Sequence, residues 1–309
     1  MFEHITFIVN PNAGNGYVRK KWAEIKAKAE KRFGSFEEYL TRGPGDASIL
    51  VKKAMHFGTD LIVSVGGDGT FNEVINGFVE ESPLIDKKIV LGIIPFGTGC
   101  DFIKSVLIPK SVDRVFDLIA SCQTRCIDLG KMAFLDHSGQ KVVRFFHNVA
   151  SFGLGGEVDE RVNNTSKIFG GFLSFIWATI VSVLCYEKKK IYLQLDDQPI
   201  QEVMAWNIAV ANGQYHGGGM WIAPHAEMDD GWFNITVLGN FTLIEVLRHL
   251  SKLYNGTHVK LNKVKTYRAR KITAYSDQRV FLDIDGEQPG ILPVIIEMVH
   301  GAVNIIAPI

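Results

Sequence analysis

Short apolar runs alternate with helix-like patterns through the first 128 residues. Ile5 to Val9 is one such run, and it ends in Asn10-Pro11-Asn12-Ala13-Gly14-Asn15-Gly16. Val18 to Arg32 then places Trp22, Ile25 and Ala29 at helical spacing, which predicts strand, loop and helix in that order. Phe36 to Leu40 predicts a second strand, and Asp46 is the expected cap of a helix carrying Ile49, Leu50, Val51 and Ala54. Leu61 to Val65 and Ile89 to Ile94 repeat the arrangement, ending in Gly66-Gly67-Asp68-Gly69-Thr70 and Pro95-Phe96-Gly97-Thr98-Gly99. Strands apolar on both faces, separated by helices, predict a three-layer α/β domain around a parallel sheet. Ligands of such sheets bind where loops leave the carboxyl ends of the strands, and all three glycine-rich loops are in that position.

After Asp128 the pattern changes to strands. Val142 to Phe146, Ile191 to Leu195, Trp206 to Ala211, Trp232 to Leu238, Lys263 to Ala274 and Val280 to Ile284 read as strands, with a turn at Asp196-Asp197-Gln198-Pro199 and a helix over Leu243 to Tyr254. This predicts a β-rich sandwich or barrel over residues 129–304, with 1–128 as the α/β domain and the last few C-terminal residues free to return to it. Ile168 to Tyr186 is nineteen residues without a charge, long enough to span a bilayer. Gly170, Gly171 and Ser174 equally suit close packing, and the strands on both sides belong to one domain, so no transmembrane span is expected. A helix lining an apolar channel or touching a membrane, and plain core, both stay open.

Composition supports two domains. A chain of 309 residues exceeds one typical core. Hydrophobic content of 47% with 21% charged residues excludes a disordered or collagen-like chain. The 33 basic and 33 acidic residues divide evenly at Asp128, sixteen of each before and seventeen of each after, which argues against a nucleic-acid partner. Cys100, Cys122, Cys126 and Cys185 lack zinc or redox spacing and are expected as reduced thiols of a cytoplasmic protein. The N-terminus has no basic region before its first strand, so no secretory signal is expected. His4, His56, His216 and His225 show no paired ligand spacing and receive no role.

The strongest chemical signal is Gly66-Gly67-Asp68-Gly69-Thr70-Phe71-Asn72-Glu73, between a buried strand and a helix. Glycines let the backbone approach phosphates, the helix N-terminus offers amides, and Asp68 can hold a hydrated Mg²⁺. A glycine-rich turn alone is commonly structural, but the octet in this position reads as a phosphate site. There is no G-x-x-x-x-G-K-[ST] sequence and no protein-kinase signature, which excludes a Walker-type ATPase and a protein kinase.

Taken in order, Asn10 to Gly14, Gly66 to Thr70 and Phe96-Gly97-Thr98-Gly99-Cys100-Asp101-Phe102 resemble the diacylglycerol kinase catalytic domain shared by bacterial soluble lipid kinases and by sphingosine and ceramide kinases. The likeness continues in Asn212-Gly213 with Gly217-Gly218-Gly219, in Pro224 followed by Asp229-Asp230-Gly231, and in Asp285-Gly286-Glu287. The resemblance implies that ATP is surrounded by Asn10, Pro11, Asn12, Ala13, Gly14, Thr41, Gly66, Gly67, Asp68, Gly69, Thr70, Phe71, Asn72 and Thr98. It implies Glu287 as general base, with Asp285 and Asp68 organising Mg²⁺ or water, in a cleft between the two domains. It also implies a Mg²⁺ loop built from the Asp230 carboxylate and the carbonyls of Glu227 and Trp232. Read alone, Thr41 to Gly45 is a polar turn, Glu227 to Trp232 a hairpin turn and Asp285 to Glu287 a solvated turn.

The implied reaction is Mg²⁺-dependent transfer of the ATP γ-phosphoryl group to a lipid hydroxyl, diacylglycerol foremost, with a monoacylglycerol, a sphingoid base or an isoprenoid alcohol as other acceptors. An NAD kinase shares the Gly-Gly-Asp-Gly-Thr loop and is the second reading. A nucleotide-binding regulator without catalysis is the third, supported by Cys100, which stands where the family usually has Asn. The basic stretch Lys263, Lys265, Arg268, Arg270 and Lys271 reads either as a solvated strand face or as a contact with anionic headgroups. The expectation is a cytoplasmic enzyme that visits the membrane surface peripherally, and a homo-oligomer is compatible with it.

Overall fold

The computed structural model describes residues 2–81, 89–97, 99–164 and 181–308. The chain divides into two compact units, Met1–Asp128 with His300–Ile309, and Leu129–Val299.

The first unit carries β1 (Ile5–Val9), α1 (Ala13–Phe33), β2 (Glu37–Leu40), α2 (Asp46–His56), β3 (Leu61–Gly66), α3 (Asp68–Glu81), β4 (Val90–Pro95), α4 (Asp101–Ser105) and α5 (Val112–Ala120). Its strands run parallel in the order β2-β1-β3-β4, and the last residues of β15 (Gly290–Ile306) pair beside β4. β1, β3 and β4 are buried at every position, as strands covered by helices on both faces must be. Gly14, Asn15 and Gly16 at the start of α1 have φ of 59°, 54° and 78°, so regular helix begins only after the Asn-Pro loop. The expected cap of α2 is corrected. Asp46 is the first residue of that helix, and its carboxylate accepts from the Arg42 amide at 2.7 Å. The amides of Gly45 and Ala47 donate instead to the Glu73 carboxylate at 2.9 and 3.1 Å, so a residue of the glycine-rich octet caps the neighbouring helix.

The second unit contains an antiparallel sheet in the order β12 (Val264–Ala269), β11 (Phe233–Leu238), β10 (Asn207–Ala211), β7 (Val149–Gly153), β14 (Leu282–Ile284). A second layer has β15, β13 (Lys271–Tyr275), β8 (Lys189–Leu195) and β9 (Gln201–Ala205), also antiparallel, while β5 (Thr124–Asp136) pairs with β6 (Lys141–Phe146) and with β15. Inward side chains of both layers, among them Phe146, Phe152, Ile208, Phe233, Ile272 and Ile296, form one core, which makes this unit a β-sandwich. α6 (Leu154–Asn164) follows β7, and α7 (Leu243–Tyr254) follows β11.

The single strand expected over Lys263 to Ala274 is two strands in different layers. Buried Ala269 and buried Ile272 are separated by two exposed residues, which shifts the alternation by one position, and Asp196 accepts from the amides of Arg270 and Lys271 at the crossing. β5, β7, β9 and β15 have no counterpart in the sequence reading. Residues 168–180 of the apolar run lie outside the described residues. Among the described residues, no helix is long and apolar enough to cross a membrane.

Candidate functional site

In the first unit the loops after β1, β3 and β4 gather at the carboxyl ends of the parallel strands, with the first two flanking the point where strand order reverses. The Asn10 side-chain amide donates to the Thr70 hydroxyl at 2.9 Å, while its carbonyl oxygen accepts from the Asn12 amide at 3.0 Å. Arg19 holds the Asn12 side chain at 2.6 Å, Pro11 accepts from the Arg19 amide, and the Ala13 amide donates to the Asn10 carbonyl. The Thr41 amide donates to Val9, which brings Thr41 to the end of β1. Gly67 and Gly97 meet backbone to backbone, where a Cβ on either would come within 2.9 Å of the other's Cα. A Cβ on Gly16 would meet nothing within 4 Å, so the main chain is open there.

The first turn of α3 carries Asp68, Gly69 and Thr70. Its first ladder bond runs from Phe71 to Gly67, which leaves the preceding amides outside the helical ladder. Such amides and a Thr hydroxyl fit phosphate oxygens. The Asp68 carboxylate accepts from the Asp101 amide at 3.1 Å, and Lys104 pairs with Asp101 at 2.6 Å. Two residues expected at the nucleotide are placed differently. The Phe71 side chain is fully buried against Phe102 at 5.1 Å, and Asn72 is buried and accepts from Asn76, so both belong to the packing of α3. Thr98 lies outside the described residues.

Cys100 sits in the left-handed conformation, with φ of 46° and ψ of 52°, and its thiol reaches the Gly97 carbonyl at 3.2 Å. Burial, with Asp68 nearby, pushes the thiol up to about 11, so it stays protonated. Asn tolerates this backbone conformation better than Cys, which is a conformational reason for Asn at the position.

In the second unit Asp285-Gly286 is a two-residue hairpin turn. Both residues have positive φ, 49° and 88°, and Ile284 and Glu287 exchange backbone hydrogen bonds across it. Glu287 is 44% exposed in its side chain, and Arg144 donates to its Oε2 at 3.0 Å. Asp285 differs from its expected role at metal or water. Its side chain is buried, accepts from the amides of His147, Asn148 and Val149, and lies 2.8 Å from His147 Nδ1. Burial alone would favour its neutral form, but the imidazole and the amides outweigh that and hold its carboxyl below the ordinary value. Two residues before it, buried Asp283 accepts from Ser151 Oγ at 3.0 Å and from the Gly286 amide at 2.9 Å, with His216 Nε2 at 2.8 Å. Ser151 and His216 both address the carboxylate, so this is no Ser-His-Asp relay. It anchors the turn that carries Glu287. Sequence reasoning gave His216 no role and did not single out His147, because their partners are far along the chain and spacing cannot report such a meeting.

In the loop Glu227 to Trp232, the carboxylate expected at the metal is engaged by protein groups. Asp230 Oδ1 accepts from the Trp232 amide at 2.9 Å, Oδ2 is held by the Arg268 guanidinium, and Glu227 is exposed. Arg268 and Arg270 lie over the Trp232 ring at 5.4 and 4.4 Å. Among the described residues, no group of three or more His, Cys, Asp or Glu side chains is arranged to hold a metal. The basic stretch is also largely spent internally, because Lys263 pairs with Glu245, Arg268 with Asp230 and Lys271 with Glu297.

A parallel α/β unit with three glycine-rich loops at its strand ends, followed by an antiparallel sandwich presenting a carboxylate turn, is the two-domain fold seen in solved diacylglycerol kinase and NAD kinase structures. Residues 4–132 match the diacylglycerol kinase catalytic domain, and residues 148–307 match the YegS C-terminal NAD kinase beta sandwich-like domain. The chain combines a diacylglycerol kinase catalytic domain with the C-terminal domain of the YegS family, and it is a lipid kinase. It is 28% identical over 294 residues to a diacylglycerol kinase of Staphylococcus carnosus, covering 95% of this chain and 91% of that one. A crystal structure of a candidate diacylglycerol kinase from Bacillus anthracis superposes with a TM-score of 0.78 at 26% identity, covering 99% of this chain and 98% of the other. Yeast NADH kinase complexed with NADH superposes with a TM-score of 0.56 at 12% identity, covering 99% and 83%, a likeness of fold alone.

Proposed function

We propose that the protein transfers the γ-phosphoryl group of ATP to the hydroxyl of diacylglycerol, giving phosphatidic acid, and that it does so at the surface of a membrane. The observation that carries this reading is the Asp285-Gly286 hairpin, which holds Glu287 part-exposed on a buried scaffold of two aspartates. In the proposed step the lipid oxygen bonds to the γ-phosphorus as the bond from that phosphorus to the β-bridging oxygen breaks, and ADP leaves. Arg144 fixes Oε2 of Glu287 and leaves Oε1 to take the hydroxyl proton. The loops at Asn10 to Gly14, Thr41 and Gly66 to Thr70 hold the triphosphate through amides and hydroxyls. Mg²⁺ accompanying the nucleotide would neutralise phosphate charge, with Asp68 as the side chain that holds it or its water. A metal role for Asp230 is not part of this reading, since its carboxylate is taken by Arg268.

The test is radiolabelled ATP with a total lipid extract, resolved by lipid class. Label is expected in phosphatidic acid. Label on another lipid alcohol would replace the acceptor, and label on NAD with none on lipid would replace the whole reading.

A further inference from the structure

α7 is started by a complete capping box, in which the Glu245 amide donates to Thr242 Oγ1 and the Thr242 amide donates to the Glu245 carboxylate. One apolar face, with Leu243, Val246 and Leu253, packs against buried clusters that include Trp206, Phe241 and Ile222. Yet no residue of the helix is buried. At 100° per residue, a second apolar face follows the first around the helix, formed by Ile244, Leu247, Leu250 and Tyr254. These are 72%, 52%, 37% and 53% exposed. Fifteen large hydrophobic side chains are exposed among the described residues, and four of them fall on these three turns, which marks a surface built to be covered.

The helix's own charged side chains next to this face are basic. Arg248 and Lys252 follow the exposed stripe around the helix, and Lys260 lies just beyond its end. Glu245 is the helix's only acid, and both its oxygens are held by Lys263 at 2.7 Å. The basic strand for which the sequence left headgroup contact open is mostly paired, so the arrangement points elsewhere. A lipid kinase must meet an acceptor that stays in a bilayer, and an apolar stripe flanked by Arg and Lys is the chemistry of an interfacial helix.

We propose that α7 docks the protein on a bilayer containing anionic phospholipid, with Ile244, Leu247, Leu250 and Tyr254 at the boundary of headgroups and acyl chains and with Arg248 and Lys252 at the phosphates. This rests on the lipid-kinase reading and adds the surface through which the lipid is approached.

The test uses the full chain, the double variant Ile244→Ser/Leu247→Ser and the double variant Arg248→Ser/Lys252→Ser. Each is sedimented with vesicles of phosphatidylcholine alone or mixed with phosphatidylglycerol, and each is assayed on long-chain diacylglycerol in those vesicles and on short-chain diacylglycerol dissolved below its micelle concentration. The apolar variant is expected to lose about tenfold or more in vesicle partitioning, from two side chains no longer buried. Its activity should fall to match on vesicles and stay unchanged on dissolved substrate. The basic variant should lose its preference for the anionic mixture. Partitioning of the apolar variant equal to that of the unaltered protein overturns the proposal. So does a dimer that this variant dissociates while vesicle binding persists, which would assign the face to a second copy. Absence of phosphorylation of either diacylglycerol by the unaltered protein would count against the lipid reading, while sedimentation would still decide the role of α7.

Discussion

The two units bring their polar groups together by different routes. In the first, Asn10, Gly67, Asp68 and Gly97 follow directly on buried parallel strands, and parallel strands place their carboxyl ends on one side of a sheet. Strand order therefore gathers the loops. In the second, the turn that carries Glu287 is held by Arg144, His147 and Ser151, residues 143, 138 and 132 positions from their partners. An antiparallel sandwich has no rule that collects chemistry at one edge. Each contact there depends on register, such as Asp283 opposite Ser151 and Ile284 opposite Ala150. The second unit depends on buried carboxylates being matched one by one.

The most severe test of this contrast removes one side chain from each unit. Asp68→Ala and Glu287→Gln should both fold and each lose turnover, Glu287→Gln by about 10²- to 10⁴-fold, the range for a positioned acid–base group, and Asp68→Ala through loss of the carboxylate that holds Mg²⁺ or its water. Steady-state rates on vesicle-borne diacylglycerol decide it, and full activity in either purified variant would falsify that residue's assignment. Asp285→Ala should act on stability. Its carboxylate is buried against His147 and three amides, and breaking such an arrangement costs about 3–5 kcal/mol. Urea unfolding at neutral pH reads this, and an unchanged midpoint would refute the anchoring role. The pH dependence has a definite sign. The folded carboxyl titrates below its unfolded value of about 3.9, so its contribution is complete above that pH and is lost as pH falls through the folded value. The unaltered protein should therefore show an acid-sensitive component that the variant lacks.

Gly97→Ala probes the first unit by its backbone. A methyl group there meets Gly67 Cα at 2.7 Å, and relief of that overlap should cost about 1–3 kcal/mol and weaken ATP binding. Thermal unfolding and nucleotide titration measure the two effects, and wild-type values for both would mean that the loops are not held in contact. The smallest effect is expected from Cys100→Asn. The left-handed backbone there costs an ordinary side chain ~1–2 kcal/mol, of which Asn recovers part, so the melting temperature should rise. A fall would show that the thiol contact with Gly97 outweighs the backbone preference.

Three strand-to-loop passages of the first unit were readable because periodicity there is local: Ile5 to Val9, Leu61 to Val65 and Ile89 to Ile94 are apolar runs closed by glycine-rich loops. The Asp285-Gly286 turn was readable in the same sense, as a dipeptide that suits positive φ twice. Local patterning failed where neighbours come from elsewhere. Lys263 to Ala274 looks like one strand because nothing within it shows that Arg270 and Lys271 turn toward Asp196. β15 was hidden by Pro293 and Gly301 inside an otherwise alternating run. Phe71 was grouped with nucleotide-facing residues through its motif, while its ring serves the core beside Phe102.

Hydrophobic period and glycine placement thus determine the order of elements, the class of each half and the positions where phosphates can be approached, since these follow from backbone conformation over a few residues. The partners of charged side chains do not follow from it. Asp230 meeting Arg268, Asp283 meeting His216 and Ser151, and the exposed second face of α7 arise from strand register and layer packing, which set distances between residues that the linear chain keeps far apart.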